Sequence, residues 1–109
     1  MIQRILQEQV IGRLFKGRVV TILGARRVGK TTLAKTILAR FPDKRTRYLN
    51  CDLLPIRQAL SHQDAERLKV YLGDQELVVL DEAQNIPEVG MVLKILVDTY
   101  PEMQIIATG

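Results

Sequence analysis

Gly24-Ala25-Arg26-Arg27-Val28-Gly29-Lys30-Thr31 is the stretch on which the reading of this chain turns. It fits G-x-x-x-x-G-K-[ST], the pattern of a loop that wraps phosphates. Val19-Val20-Thr21-Ile22-Leu23 before it reads as a buried strand, and residues 32–40 after it read as a helix. That is the context such a loop needs. Glycine adopts backbone torsions that residues with a Cβ avoid, so several N–H groups can point at one anion. The N-terminus of the following helix adds partial positive charge at the same spot. The residues assigned to nucleotide binding are therefore Gly24, Ala25, Arg26, Arg27, Val28, Gly29, Lys30, Thr31 and Thr32. Lys30 is expected to reach the β- and γ-phosphates, and the Thr31 hydroxyl to ligate Mg²⁺. At Arg26 and Arg27 the backbone N–H groups are expected to matter more than the guanidinium groups.

Leu77-Val78-Val79-Leu80-Asp81-Glu82 is an apolar run ending in two acids. A continuous apolar run suits a parallel strand buried on both faces, and ligands of open α/β sheets sit at the carboxyl ends of the strands. Asp81 there is expected to hold Mg²⁺, directly or through water. Glu82 is expected to orient and polarise the attacking water.

The bulk numbers bound the rest. A chain of 109 residues, 47% hydrophobic and 26% charged, makes at most one ordinary globular domain. The single cysteine, Cys51, excludes an intrachain disulfide. It reads as a small, half-buried residue, and the chain fits a reducing cytoplasm. The lone His62 stands among polar residues and is expected to be solvated. No apolar run is long enough for a membrane span. The net charge of +4 is uneven: residues 1–47 carry twelve Lys/Arg and two Asp/Glu, the remainder four and ten. A basic half raises direct nucleic-acid contact, but the cations are scattered, and stacking aromatics are few, with no Trp, two Phe and three Tyr.

Along the chain, residues 1–16 read as an amphipathic helix ended by Gly17, with residues 17–109 as the core that carries both motifs. Arg47-Tyr48-Leu49-Asn50-Cys51 reads as a second strand, residues 52–73 as one or two helices with Asp52 as a cap, and the acidic run as a third strand. A helix opening at Ile86-Pro87, with Met91, Val92, Ile95 and Leu96 inward, precedes a fourth strand, Met103-Gln104-Ile105-Ile106-Ala107. The resulting β-α-β-α-β-α-β pattern implies an α/β fold, a parallel sheet with right-handed crossovers.

With both motifs in place, the sequence resembles the AAA+ ATPases, and more narrowly the AAA_14 type of ATP-binding domain of bacterial and archaeal proteins. The shared phrases are Leu23-Gly24-Ala25-Arg26-Arg27-Val28-Gly29-Lys30-Thr31-Thr32-Leu33, Leu80-Asp81-Glu82-Ala83-Gln84 and Ile105-Ile106-Ala107-Thr108-Gly109. The resemblance implies a three-layer P-loop NTPase sheet with strand order 1-4-3-2, to which such families add a fifth strand and a helical lid beyond Gly109. The segment is on this view a fragment with weak or absent turnover of its own. It also implies ATP and Mg²⁺ as ligands and Thr108 at the position that reads the γ-phosphate, so that Glu82, Lys30 and Thr108 form the catalytic set and Thr31 and Asp81 the metal set. Self-association or a neighbouring subunit would supply the arginine finger. A non-hydrolysing nucleotide-binding module is the alternative function. A helicase core, suggested by Asp81-Glu82-Ala83-Gln84, fits the loop sequence less well.

Overall fold

The computed structural model describes residues 2–23 and 29–109. Strands β1 (Val20–Ile22), β2 (Thr46–Asn50), β3 (Leu77–Asp81) and β4 (Gln104–Thr108) form one sheet in the order β1-β4-β3-β2. Every pairing is parallel, as the alternation of strands and helices requires. Helices α1 (Ile2–Ile11), α2 (Lys30–Ala39), α3 (Leu54–Ala59), α4 (Ala65–Leu72) and α5 (Val89–Thr99) fill the connections.

The unbroken apolar run of β3 has a direct physical cause. All five of its residues are buried, and because strand side chains alternate, they feed two separate cores. Leu77 and Val79 pack with Leu33, Ala34 and Ile37 of α2, whereas Val78 and Leu80 pack with Leu68 and Leu72 of α4 and Val92 and Leu96 of α5. On β4, Ile106 joins the α2 side, and Ile105 and Ala107 join the other. The sheet is thus the middle of three layers, and β3 and β4 are its buried centre.

Several boundaries differ from those read in the sequence. The first helix stops at Ile11 rather than Lys16. Phe15 then takes the left-handed backbone at φ 59°, and its N–H donates to Gln104 Oε1 at 2.6 Å. Gln104, 3% exposed, also donates from Nε2 to the Arg18 carbonyl at 2.8 Å. A buried amide must find partners, and this one does so by bracing the segment that leads into β1. Leu14 is buried beneath that segment, and the Phe15 ring meets Phe41 edge-on at 5.8 Å.

Residues 52–73 form two helices. Asp52 caps neither, because α3 begins at Leu54 behind Leu53, and the Asp52 carboxylate accepts from Asn85 Nδ2 at 2.7 Å instead. Asp64 is the cap that forms, accepting from the N–H of Glu66 at 3.0 Å at the start of α4. The last helix opens at Val89, after a 3₁₀ turn at Ala83–Asn85. That phase puts Val92 and Leu96 inward, with Val89, Leu93 and Ile95 beside them, and leaves Met91 47% exposed. His62 is half-buried, its ring 3.3 Å from the Arg67 guanidinium. Among the described residues, no helix is long and apolar enough to cross a membrane.

Cys51 is fully buried rather than half-buried, packed under α4 and α5. Burial, followed by the nearby charges of Asp81 and Asp52, pushes its thiol up to about 12. Thiolate is the reactive form, so at pH 8 the native thiol is expected to react with a maleimide at least about 100-fold more slowly than the unfolded chain. Labelling that tracks the urea unfolding transition is the expected result, and fast native labelling would contradict the packing.

Candidate functional site

Parallel register brings the chemistry to one end of the sheet. Asn50 of β2 stands beside Asp81 of β3, Leu80 pairs with Ala107, and Thr108 of β4 stands beside Ile22 of β1. The carboxyl ends of all four strands therefore form one edge, and α2 starts above it. Gly29 opens α2 in the left-handed conformation, φ 75° and ψ 31°, which glycine adopts without steric cost. Its carbonyl accepts from the N–H of Leu33 at 2.8 Å, so the first turn of the helix is already closed.

Four of the residues assigned from the sequence meet here. Thr31 Oγ1 donates to Asp81 Oδ2 at 2.6 Å, and Thr108 Oγ1 donates to Asp81 Oδ1. The same Thr108 oxygen accepts the backbone N–H of Glu82 at 3.1 Å. Asp81 and Thr108 are each 1% exposed. Burial pushes the Asp81 carboxyl up, but hydrogen bonds from Thr108, Thr31, Tyr48 and the Glu82 backbone outweigh it and hold the group below its ordinary 3.8. Hydrogen bonds to the charged form favour that form, so Asp81 is an anion at neutral pH.

Glu82 follows in the left-handed region, φ 54° and ψ 46°, a conformation that costs a non-glycine residue about 1–3 kcal/mol. The bend turns its side chain out of the strand. Glu82 Oε1 accepts from Gln84 Nε2 at 2.7 Å, and among the described residues Oε2 has no partner.

Lys30, the first residue of α2, is 4% exposed. Among the described residues no carboxylate forms an ion pair with it. A cation at the first residue of a helix that starts above the carboxyl ends of the strands fits a site that receives an anion. Lys30 borders a cavity of about 250 Å³ between α1, β1 and α2, together with Leu6, Val10, Arg13, Ile22 and Leu33. Thr32 lies on the exposed side of the first turn, and its carbonyl accepts from Thr36 Oγ1 at 2.8 Å. Gly24, Ala25, Arg26, Arg27 and Val28 lie outside the described residues.

The donor set also bears on the expected cation. No cluster of three His, Cys, Asp or Glu side chains that could hold a metal occurs among the described residues. One carboxylate and one hydroxyl cannot cage an ion alone. They fit Mg²⁺, which keeps several waters and is held by one or two protein groups plus phosphate oxygens. By donating its proton to Asp81, Thr31 leaves the lone pairs of its own oxygen for a cation.

Tyr48 belongs to this group, although neither motif points to it. Its O–H donates to Asp81 Oδ2, and burial, with the Asp81 bond and charge, pushes the phenol well above its ordinary value. The sequence marks it only as a strand residue, because nothing in one chain segment reveals which residue of a neighbouring strand it will face.

A buried hydroxyl shared between a carboxylate and an N–H is expected to matter for stability. Thr108→Val leaves Asp81 short of a donor and Glu82 N–H without an acceptor, and should cost about 1–3 kcal/mol in urea unfolding. The pH dependence has a definite sign. A carboxyl lowered in the native state stabilises the fold above its unfolded value and ceases to do so as pH falls through the native one. Asp81→Asn should therefore be less stable than the parent at pH 7, with the gap shrinking below pH 3.8.

Set beside models of known protein families, residues 16–109 match AAA_14, an AAA domain. No curated protein matches the chain significantly. The family match covers well over half of the 109 residues, and it includes the loop before Lys30, the acidic end of β3 and Thr108. With a parallel sheet of order 1-4-3-2 beneath them, the chain belongs to this family of AAA domains.

Proposed function

We propose that the chain binds Mg·ATP at the carboxyl end of its sheet and, in the protein that works in the cell, hydrolyses it to drive conformational change. The observation that carries this is the convergence of Thr31 and Thr108 on the buried Asp81 carboxylate, with Lys30 next to Thr31 at the start of α2. Family membership supports the nucleotide-binding part of this reading.

Each residue then has a physical task. Lys30 supplies positive charge to the β- and γ-phosphates from the first residue of α2. The N-terminus of α2 adds its dipole to the same anion. Thr31 would offer its hydroxyl oxygen to the cation while its O–H stays hydrogen-bonded to Asp81. Asp81 keeps the site negative and orients Thr31. Bound Mg²⁺ would supply Lewis-acid stabilisation of the charge that builds on the phosphate oxygens. Glu82 takes a proton from the attacking water as the oxygen–phosphorus bond forms, and the bond from the γ-phosphorus to the bridging oxygen breaks with its electrons leaving on ADP. Thr108 fixes the Glu82 backbone through its hydroxyl, and it would sense the γ-phosphate by turning its one proton from Asp81 to a phosphate oxygen.

Binding and hydrolysis separate by residue. Lys30→Ala should weaken Mg·ATP binding at least about tenfold, since hydrogen bonds to charged groups contribute roughly 1.5–3 kcal/mol and 1.4 kcal/mol is tenfold. Glu82→Gln should keep affinity within about twofold while hydrolysis falls by about 10²–10⁴, the usual worth of a general base. Nucleotide titration and phosphate release on the full protein check both. Equal binding by Lys30→Ala and the parent would remove the basis of the assignment.

A further inference from the structure

Tyr48 is the one polar group on Asp81 that the motifs leave unexplained. It stands on β2 opposite Val79, and its O–H reaches the Asp81 oxygen that also accepts Thr31. The other oxygen accepts Thr108. An ionised carboxylate has about four lone-pair positions, two on each oxygen. Both positions on Oδ2 are thus taken, and Oδ1, which accepts Thr108, keeps at most one, because the Glu82 N–H also lies against the carboxylate. The phenol is held from its other side as well. Lys35, one turn along α2 from Thr31, places Nζ 4.7 Å from the centroid of the Tyr48 ring. An ammonium over an aromatic face is attracted to it, which fixes the ring, and it draws electron density from the O–H, making the hydroxyl a better donor.

We infer that Tyr48 is a positioning residue that keeps Asp81 out of direct contact with the divalent cation and so sets the cation preference of the site. The inference rests on the reading of this edge as a Mg·ATP site. With Oδ2 closed, Asp81 offers an approaching cation at most one lone pair on Oδ1. That suffices to accept a hydrogen bond from a cation-bound water, but it does not allow the carboxylate to chelate. Mg²⁺ suits such a site, because it gives up water reluctantly and needs near-octahedral geometry. Ca²⁺ takes more oxygen ligands in looser geometry and commonly uses carboxylates in bidentate fashion. Without the Tyr48 hydroxyl, two things change. The carboxylate loses a tether, which weakens any cation equally. It also gains a free lone pair on Oδ2, which helps the larger cation more. The ratio of the two affinities isolates the second effect.

The test uses the full chain and a fluorescent ATP analogue. Binding of the analogue is titrated with MgCl₂ and, separately, with CaCl₂, in the parent and in Tyr48→Phe. The preference for Mg²⁺ over Ca²⁺, taken from the half-saturating concentrations, should fall about three- to tenfold, the worth of one hydrogen bond. Both titrations use one preparation, so a smaller folded fraction scales the signal and not the ratio. An unchanged ratio in a variant that still binds the analogue overturns the role of Tyr48 and leaves the nucleotide site standing. A parent that binds no analogue, or binds it without regard to either cation, overturns the nucleotide reading and this inference with it. Tyr48→Leu, which also removes the ring from Lys35, should shift the ratio in the same direction as Tyr48→Phe. A shift in Tyr48→Leu alone assigns the effect to ring packing and overturns the role of the hydroxyl.

Discussion

The buried carboxylate of Asp81 is the point to which the rest of this molecule is tied. It receives hydroxyl protons from Thr31 on α2, Tyr48 on β2 and Thr108 on β4, so four elements meet on one side chain. Taking a carboxylate out of water costs several kcal/mol. Each hydrogen bond to a charged acceptor returns about 1.5–3 kcal/mol, and three of them are of the size needed. The group remains ionised while 1% exposed because these three hydroxyls, with the Glu82 N–H, favour its charged form. Removing any one of them shifts the balance at the others.

That constraint explains features that look unrelated along the chain. β3 and β4 must be buried on both faces to hold Asp81 and Thr108 side by side, which is why their residues feed two cores rather than one. Glu82 adopts a left-handed backbone directly after Asp81, which ends the strand there. Thr108 holds the Glu82 N–H in that bend. One threonine hydroxyl thereby couples the group proposed to organise the cation to the group proposed to activate water. The link is short, and it is made of bonds that a change of charge at the site would alter.

The edges of the sheet are handled differently. β1 has only three residues and pairs with β4 on one side. On its other side lies the Lys30-lined cavity, walled in part by Leu6 and Val10 of α1. β2, at the opposite edge, is tied by Arg47, which donates to the Tyr71 carbonyl and to the Leu72 carbonyl at 3.1 Å at the end of α4. Short strands and edge positions occupied by long basic side chains are ordinary ways of blunting a sheet edge. A depression of about 590 Å³ beside Arg47, His62, Arg67 and Tyr71 is larger than the cavity at Lys30. Cavity size alone therefore does not single out the candidate site, to which the convergence of polar groups on Asp81 points.

The sequence by itself determined the class of fold and pointed to the end of the sheet that carries the candidate site. An apolar run of strand length ending in Asp81 and Glu82, and a glycine-bounded loop ending in Lys30 and Thr31, are local patterns whose physics is local. They fix strand, turn and helix, and alternation with helices then dictates a parallel sheet. Thr108 was legible only through its resemblance to a known phrase, and the limits of α1 and α5 were not legible at all. After α1 stops, the following segment is held by Gln104, about ninety residues away, whose buried amide finds partners at Phe15 and Arg18. In α5 a 3₁₀ turn resets the helical phase and turns Met91 outward. Asp52 looked like a cap and instead holds Asn85. Tyr48 and its bond to Asp81 were decided only by tertiary structure. Which residue of β2 faces which residue of β3 follows from register and crossover geometry. The need of a buried carboxylate for donors is satisfied by whatever the neighbouring strands bring within reach.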